Sequence, residues 1–184
     1  MMTDIPGFRR RELFCIACNN GSLKILAADD IIAELRSKYC TSVAYFSTRG
    51  KSKEVETLQN SRSSLVGALY TEDLENNDCS ALCDKITEMV ERKFVRAIVI
   101  DCLEGLDIKD FDDGGIRAKR NEIMTHLWFT AGYENVRILL FCPWRKSHEY
   151  KNRLDSVNGI LSQMSKWKNS DTISYINNKL KVKL

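Results

Sequence analysis

The chain has 184 residues and a mass of 21.1 kDa, of which 43% are hydrophobic and 29% charged, a composition typical of one globular domain. The formal net charge of +3 and the isoelectric point near 8.4 are lower than expected of a dedicated nucleic-acid-binding domain. No apolar run is long enough to span a membrane, and residues 1–11 lack the apolar core of a signal peptide.

The seven cysteines are an odd number, and their spacing does not indicate a disulfide framework. Because no secretory signal precedes them, we expect free thiols in a reducing compartment, which predicts an intracellular protein of the cytoplasm or nucleus. Cys15 and Cys18 form a C-x-x-C pair, but no second pair completes a zinc site. No metal and no cofactor are predicted.

Short apolar runs alternate with helical patterns along the chain. The predicted strands are residues 13–18, 42–47, 65–70, 95–102 and 136–142. Helices with apolar residues three and four apart are predicted at residues 25–39, 79–93, 116–131 and 148–168. Asp78 and Ser147 are predicted N-caps of the second and fourth of these helices. Residues 48–64 predict a short helix and a loop, and residues 104–115 a long acidic loop.

Strands that alternate with helices predict a single α/β domain over residues 1–184. We expect a three-layer, doubly wound, mostly parallel sheet of about five strands, of the flavodoxin-like kind. Residues 1–11 form a basic lead-in, and residues 173–184 are expected to add an edge strand and a mobile basic tail.

The carboxyl ends of parallel strands are where such sheets bind ligands, because strand-to-helix turns and helix N-termini meet there. Asn19 and Asn20 follow the first predicted strand, and Arg49 and Gly50 follow the second. The later strands deliver acidic residues and then a basic, aromatic segment: Asp101, Glu104, Asp107, Trp144, Arg145, Lys146, His148 and Tyr150.

Four segments in this order resemble blocks of the SGNH, or GDSL-type, hydrolases. Asn20-Gly21-Ser22 resembles the Gly-Asp-Ser block, which places Ser22 at the nucleophile position. SVAYFSTRG resembles the strand before the oxyanion-hole glycine, here Gly50, and IVIDCLEGLD resembles the Gly-x-Asn-Asp block, with Asp107 as the nearest match. LLFCPWRKSHEYKNRLDSVNGIL is the closest likeness. The resemblance covers about residues 12–165 and implies an SGNH-like fold.

The general base of that family is missing from this chain. The Asp-x-x-His block is absent, and the only histidines are His126 and His148. Because a serine hydroxyl is a poor nucleophile without an adjacent base, the resemblance implies a degenerate, non-catalytic relative. A serine esterase would have to combine Ser22, Gly50, Asp107 and His148. Ser22 has the alternative role of a helix N-cap.

The acidic loop supports a second enzymatic hypothesis. Asp101, Glu104 and Asp107 could hold Mg²⁺ in a metal-dependent nuclease. The first and fifth strands contribute no acid to such a site, and the alternative is a solvated loop that docks basic partners.

Basic clusters at residues 117–120 and 145–153 favour a binding surface. Aromatic side chains among cations are typical of single-stranded nucleic-acid binding, although charged helix faces usually only face water. The predicted binding surface comprises Asn19, Asn20, Arg49, Trp144, Arg145, Lys146 and Tyr150.

The leading prediction is a non-catalytic interaction module with an enzyme-derived fold, acting in an intracellular protein or ribonucleoprotein assembly. A protein partner is expected, a nucleic-acid partner stays open, and no membrane is involved. The alternatives are the serine esterase and the metal-dependent nuclease. The sequence leaves the oligomeric state open.

Overall fold

The structure, a computed structural model, describes residues 12–18, 21–109 and 115–143. Within these ranges five strands alternate with four α-helices, and a single 3₁₀ turn, Leu103–Gly105, follows the fourth strand. The elements are β1 Glu12–Cys18, α1 Gly21–Lys38, β2 Val43–Ser47, α2 Ser52–Asn60, β3 Leu69–Asp73, α3 Cys79–Lys93, β4 Ala97–Asp101, α4 Gly115–Tyr133 and β5 Arg137–Pro143. The predicted lead-in, Ser147, the helix at 148–168 and the tail at 173–184 lie outside the described residues.

The five strands form one sheet in the order β1-β5-β4-β2-β3, and every pairing is parallel. The predicted three-layer α/β architecture is therefore confirmed. In flavodoxin-like sheets the first strand lies inside the sheet, whereas β1 lies at an edge here. The connections leaving β1 and β2 run toward the β3 edge, and those leaving β3 and β4 run back toward β1.

The two faces of the sheet are covered by different helices, because alternate residues of each buried strand point to opposite sides. In β2, Tyr45 packs in the cluster beneath α1 and α2, while its neighbour Phe46 packs in the cluster beneath α3 and α4. β2 and β4 are buried throughout, and for β4 the nearly continuous apolar run at 95–102 predicts this. The core thus consists of two apolar layers separated by the sheet.

The third strand differs from its prediction by several residues. The apolar run at 65–70 predicts a strand there, but β3 begins at Leu69 and continues into the polar residues Thr71 to Asp73. Gly67 approaches the main chain of Thr41 so closely that a Cβ atom would lie 2.0 Å from the Thr41 carbonyl oxygen. β3 is an edge strand and only partly buried, so it carries polar side chains that hydrophobic periodicity does not detect.

Helix termini and one polar network position the outer layers. Asp78 is the N-cap of α3, as predicted, and its carboxylate accepts the Ala81 N–H at 3.1 Å. α2 lies inside the segment predicted as a short helix and loop, with Val55 fully buried. Its Gln59 is also buried and donates to the carboxylate of Asp29 in α1 at 2.6 Å. This hydrogen bond joins α1 to α2 on one face of the sheet.

Candidate functional site

The natural ligand position of this sheet is the crevice between the carboxyl ends of β2 and β4. These strands are neighbours, but the chain leaves β2 toward the α1/α2 face and leaves β4 toward the α3/α4 face. Diverging turns of this kind open a crevice at a topological switch point, where doubly wound sheets bind ligands. The described residues here belong to two turns, 47–52 and 101–105.

A buried tyrosine and a buried acid lie at the base of this crevice. Asp101 ends β4 and is only 4% exposed, and its Oδ2 accepts the hydroxyl of Tyr45 at 3.2 Å. Burial, followed by the charge and hydrogen bond of Asp101, raises the pKa of Tyr45 far above its usual range. Tyr45 is therefore a permanent hydrogen-bond donor. The second oxygen of Asp101, Oδ1, is buried and accepts no hydrogen bond from the described residues.

Thr48 closes the crevice above this pair. Its N–H donates to the carbonyl of Asp101 at 2.7 Å, and its hydroxyl accepts the N–H of Cys102 at 3.1 Å. Gly105 sits directly against the same side chain, because a Cβ on Gly105 would lie 2.1 Å from Thr48 Oγ1. The space that a ligand would enter between the two turns is filled by the protein itself.

The hydrogen-bond donors of the β2–α2 turn are also engaged. The hydroxyl of Ser47 accepts the N–H groups of Arg49 and Lys51 at 3.2 and 3.0 Å. Asp73, at the end of β3, accepts the N–H of Ser52 at 2.9 Å. A helix N-terminus of this kind can bind an anion. Here three of the N–H groups that would do so are used by side chains of the chain.

The predicted catalytic residues that the structure describes lie at separate places along the sheet. Ser22 lies in the first turn of α1, after β1, whereas Gly50 lies after β2 with a φ of +69°. β5 and β4 separate those two strands, and three strand spacings amount to about 14 Å. An oxyanion donor must lie about 3 Å from the reacting oxygen. Because α1 begins at Gly21, Ser22 falls inside the helix rather than before it.

Asp107 lies apart from both Ser22 and Gly50, next to the start of α3. Its N–H and carbonyl bond the main chain of Asn77 and Cys79 at the start of α3, at 2.8 and 2.7 Å. Its side chain forms an ion pair with Lys119 of α4. That contact, followed by the N–H of Ile108, lowers the pKa of Asp107 below its usual value. His148, the fourth catalytic candidate, lies outside the described residues.

The proposed acidic metal site is likewise not assembled. Asp101 is hydrogen-bonded to Tyr45, Glu104 forms an ion pair with Arg49 at 2.9 Å, and Asp107 pairs with Lys119. Among the residues that the structure describes, no three His, Cys, Asp or Glu side chains converge on a possible metal position. The acids are spread along the segment after β4, so proximity in sequence does not become a shared site.

Of the predicted binding surface, the structure describes only Arg49. Its side chain is 46% exposed, and its guanidinium forms an ion pair with Glu104. Outside the described residues lie Asn19, Asn20, Trp144, Arg145, Lys146 and Tyr150. Sequence reasoning missed Tyr45, Thr48 and Gly105. A tyrosine within a buried strand signals a hidden polar partner, but no local pattern indicates the approach of Gly105 to Thr48.

Six cysteines are free thiols: Cys15, Cys40, Cys79, Cys83, Cys102 and Cys142. Cys142 lies in β5 beside β1, and its hydrogen bond with Cys15, together with burial, raises the pKa of its thiol well above the usual value. Cys102 is buried at the end of β4. The buried cysteines pack as small apolar side chains.

Comparison with known proteins gives a similarity in fold. No family model and no curated protein matches the sequence. A solved structure of a DnaB-like replicative helicase, described with its interactions with primase, is similar to this chain with a TM-score of 0.59 and 16% sequence identity. The match covers 81% of this chain and 42% of the helicase chain. This chain therefore spans less than half the length of the protein that it resembles.

That comparison corrects the resemblance to the SGNH hydrolases, which is wrong: the fold is similar to that of a helicase domain. The separated positions of Ser22, Gly50 and Asp107 agree with this correction. At 16% identity the similarity establishes the fold alone. Across the described residues, no helix is long and apolar enough to cross a membrane.

Proposed function

We propose that this chain is a non-catalytic interaction module, built on a helicase-like α/β fold, that holds a partner within a larger assembly. The observation that carries this proposal is the closed crevice between β2 and β4. Thr48 and Gly105 fill the space where a ligand would bind, and Arg49 and Glu104 neutralise each other at its rim. Apart from Oδ1 of Asp101, the polar groups named at this edge are hydrogen-bonded or ion-paired within the chain, which leaves little to offer a substrate.

The fold similarity supports the kind of assembly that we propose. The helicase that the chain resembles is described together with its interactions with primase. By analogy, we propose a protein partner within a nucleic-acid-handling assembly. The free thiols of the described cysteines support a reducing, intracellular compartment for that assembly.

Assays of turnover test the non-catalytic part of the proposal. The purified chain is incubated with Mg²⁺ and ATP, and separately with Mg²⁺ and single-stranded DNA, beside an Asp101→Asn variant. We expect no hydrolysis above the level of the variant. Mg²⁺-dependent turnover that Asp101→Asn lowers by about 100-fold or more would refute the proposal, because catalysis through a bound metal depends on such a carboxylate.

Direct binding of single-stranded nucleic acid is the second candidate, favoured by the similarity to a helicase. It would use the predicted surface around Trp144, Arg145 and Tyr150. Fluorescence anisotropy with a labelled oligonucleotide tests it over a range of salt concentrations. Binding that weakens in Trp144→Ala but not in Arg49→Ala would support this surface, because Arg49 is already paired with Glu104.

A further inference from the structure

Three buried sulfur atoms converge where β1, β5 and α4 pack against one another. Cys15 lies in β1, Cys142 in β5 and Met124 in α4, and all three side chains belong to the apolar cluster beneath α3 and α4. None of the three residues is more than 7% exposed. We call these three side chains the sulfur triad.

The sulfur atoms of the triad are in contact with one another. Cys15 Sγ donates to Met124 Sδ at 3.8 Å. In the sheet register Cys142 lies beside Ala17, two residues beyond Cys15 on the same face, and its thiol is hydrogen-bonded to that of Cys15. Cys15 therefore connects the thioether of α4 to the thiol of β5.

The backbone positions of the two cysteines do not suit a disulfide. Neighbouring strands lie about 4.8 Å apart and two residues advance a strand by about 6.6 Å, so the two Cα atoms are about 8 Å apart. Disulfides usually join Cα atoms about 4.4–6.8 Å apart. Both cysteines are free thiols, so both sulfur atoms are available as ligands.

The spacing of the sulfur atoms suits one ion at the centre of the triad. Metal–sulfur bonds are about 2.3 Å long, so three sulfur ligands in a plane around one ion lie about 4 Å from one another. The 3.8 Å between Cys15 Sγ and Met124 Sδ matches this spacing. Two of the three ligands are therefore held at the separation that an ion requires.

The chemistry of the ligands favours a soft monovalent ion. Thiolate and thioether sulfur together select Cu(I), whereas Zn²⁺ in structural sites takes four ligands from cysteine, histidine and carboxylate side chains. Across the described residues, no histidine, aspartate, glutamate or further cysteine joins the two thiols in a possible three-ligand group. A site of three sulfur atoms is thus suited to Cu(I) rather than to Zn²⁺.

Two cations compensate the charge that such a site acquires, because two thiolates and one Cu(I) ion leave one net negative charge. Lys24 of α1 is only 4% exposed, and Arg120 lies in α4. The hydrogen bond with Cys15 and burial raise the pKa of the Cys142 thiol, and the charges of Arg120 and Lys24 oppose that rise. Both cations therefore stabilise negative charge on the triad.

We propose that the sulfur triad binds one Cu(I) ion through the thiolates of Cys15 and Cys142 and the thioether of Met124. Binding breaks two S–H bonds and forms three Cu–S bonds, and the two protons leave to solvent. The ion enters from the carboxyl edge of the sheet, because Cys142 lies one residue before the end of β5. This inference goes beyond the proposed interaction function and does not depend on it.

A second thiol pair provides an internal comparison. Cys79 and Cys83 lie one turn apart in α3 and are hydrogen-bonded to each other. Their other described contacts are with oxygen-bearing groups: Cys79 Sγ donates to the carbonyl of Ile123 at 3.9 Å, and Cys83 is hydrogen-bonded to the side chain of Thr130. Because these contacts supply no third sulfur atom, this pair should bind Cu(I) more weakly than the triad.

Anaerobic titration of the reduced, full chain with Cu(I) tests the proposal, with the chelator bicinchoninate as the competitor. We expect one Cu(I) ion per chain, and X-ray absorption should show three sulfur atoms about 2.3 Å from copper. Replacing both thiols, in Cys15→Ala with Cys142→Ala, should weaken binding by about 100-fold or more. Met124→Leu nearly conserves volume and should weaken binding by about tenfold, leaving two sulfur ligands.

The matched controls are Cys79→Ala with Cys83→Ala, which removes the other thiol pair, and Met89→Leu, which replaces a partly buried methionine of α3. Both are expected to leave the affinity for Cu(I) unchanged. Circular dichroism verifies that each variant folds, and Cu(I) should raise the melting temperature of the unaltered chain. If the double variant of the triad cysteines unfolds, Met124→Leu gives the same test by affinity and by ligand number.

Four results would overturn the proposal. They are failure of the chain to hold Cu(I) against an equimolar amount of bicinchoninate, equal affinity in the double variant of the triad cysteines, an equal loss in the Cys79 and Cys83 control, and an unchanged ligand number in Met124→Leu. Displacement of Cu(I) by equimolar Zn²⁺ would also contradict it. Mg²⁺-dependent turnover with intact Cu(I) binding would refute the proposed function while leaving the metal site standing.

Discussion

The two edges of the parallel sheet differ in how far their side chains are packed and hydrogen-bonded. At the carboxyl edge between β2 and β4, Thr48 packs against Gly105 and accepts the N–H of Cys102. Arg49 forms an ion pair with Glu104 beside them. At the amino edge, large apolar side chains are exposed in or next to the turns, among them Tyr133, the last residue of α4, at 89% exposure. The edge at which doubly wound sheets usually bind ligands is closed, whereas the opposite edge exposes apolar side chains to solvent.

Replacement of the close-packed glycines should have the largest effect on stability. One such glycine, Gly67, packs in a turn at the amino edge, and the other, Gly105, packs in a turn at the carboxyl edge. Gly67→Ala would place Cβ 2.0 Å from the main-chain oxygen of Thr41, and Gly105→Ala would place it 2.1 Å from the Thr48 hydroxyl. We expect losses in unfolding free energy of about 3–4 kcal/mol for Gly67→Ala and about 2–3 kcal/mol for Gly105→Ala. The loss is larger for Gly67→Ala because the main chain of Thr41 cannot move aside, whereas the side chain of Thr48 can shift slightly.

Denaturant unfolding measures both effects, and Gly132→Ala is the control. Gly132 lies in α4, and a Cβ there would meet no atom within 4 Å. Alanine is the better helix former, so this variant should gain about 0.5–1 kcal/mol. Similar stability for Gly105→Ala and Gly132→Ala would show that the carboxyl crevice is open, against the structure.

Tyr45→Phe should have the next largest effect. It removes the donor to Oδ2 of Asp101 while leaving that carboxyl group buried, which should cost about 1–3 kcal/mol. Unfolding of the single variants Tyr45→Phe and Asp101→Asn and of the double variant forms a cycle that isolates the pair. A coupling energy near zero would contradict a structural role for this hydrogen bond.

Phe94→Gly should stabilise the chain. Glycine adopts the positive φ of this position without strain, and the lost ring is exposed. Allowing for the greater freedom of glycine in the unfolded state, we expect a gain of about 0.5–1 kcal/mol. Thermal unfolding should show a melting temperature higher by a few degrees. A lower melting temperature would mean that the exposed ring supports the fold.

The smallest expected effect is the pH dependence of the Asp107–Lys119 pair. The folded-state pKa of Asp107 is lowered, so the stabilisation is present above the ordinary pKa of Asp, about 3.9, and is lost as the pH falls through the folded-state value. In Lys119→Gln the pKa of Asp107 should rise toward its ordinary value, followed by NMR of the carboxyl carbon. An unchanged titration would remove Lys119 as the cause of the shift.

Hydrophobic periodicity predicted the layers of this fold from sequence. The continuous apolar runs at 95–102 and 136–142 become the buried strands β4 and β5, and Asp78 caps α3 as its position predicts. The site was less predictable, because it depends on contacts between distant segments. Thr48 and Cys102 lie 54 positions apart, and neither shows a local pattern that would pair them.

The exposed edge could not be recognised in advance for a related reason. Phe94 stands beside Val95 in the sequence, and periodicity gives both the same apolar character. The left-handed conformation of Phe94 at the end of α3 leaves its ring exposed to solvent, while the side chain of Val95 is buried in the core. The family resemblance failed because it compared the order of short blocks, whereas strand order separates Ser22 from Gly50.

One measurement tests the closed carboxyl edge most directly: a two-dimensional amide NMR titration of the chain with Mg²⁺ and ATP. The account predicts that the nucleotide leaves the amides of residues 47–52 and 101–105 unshifted. Nucleotide-induced shifts in these two carboxyl-edge turns would contradict it.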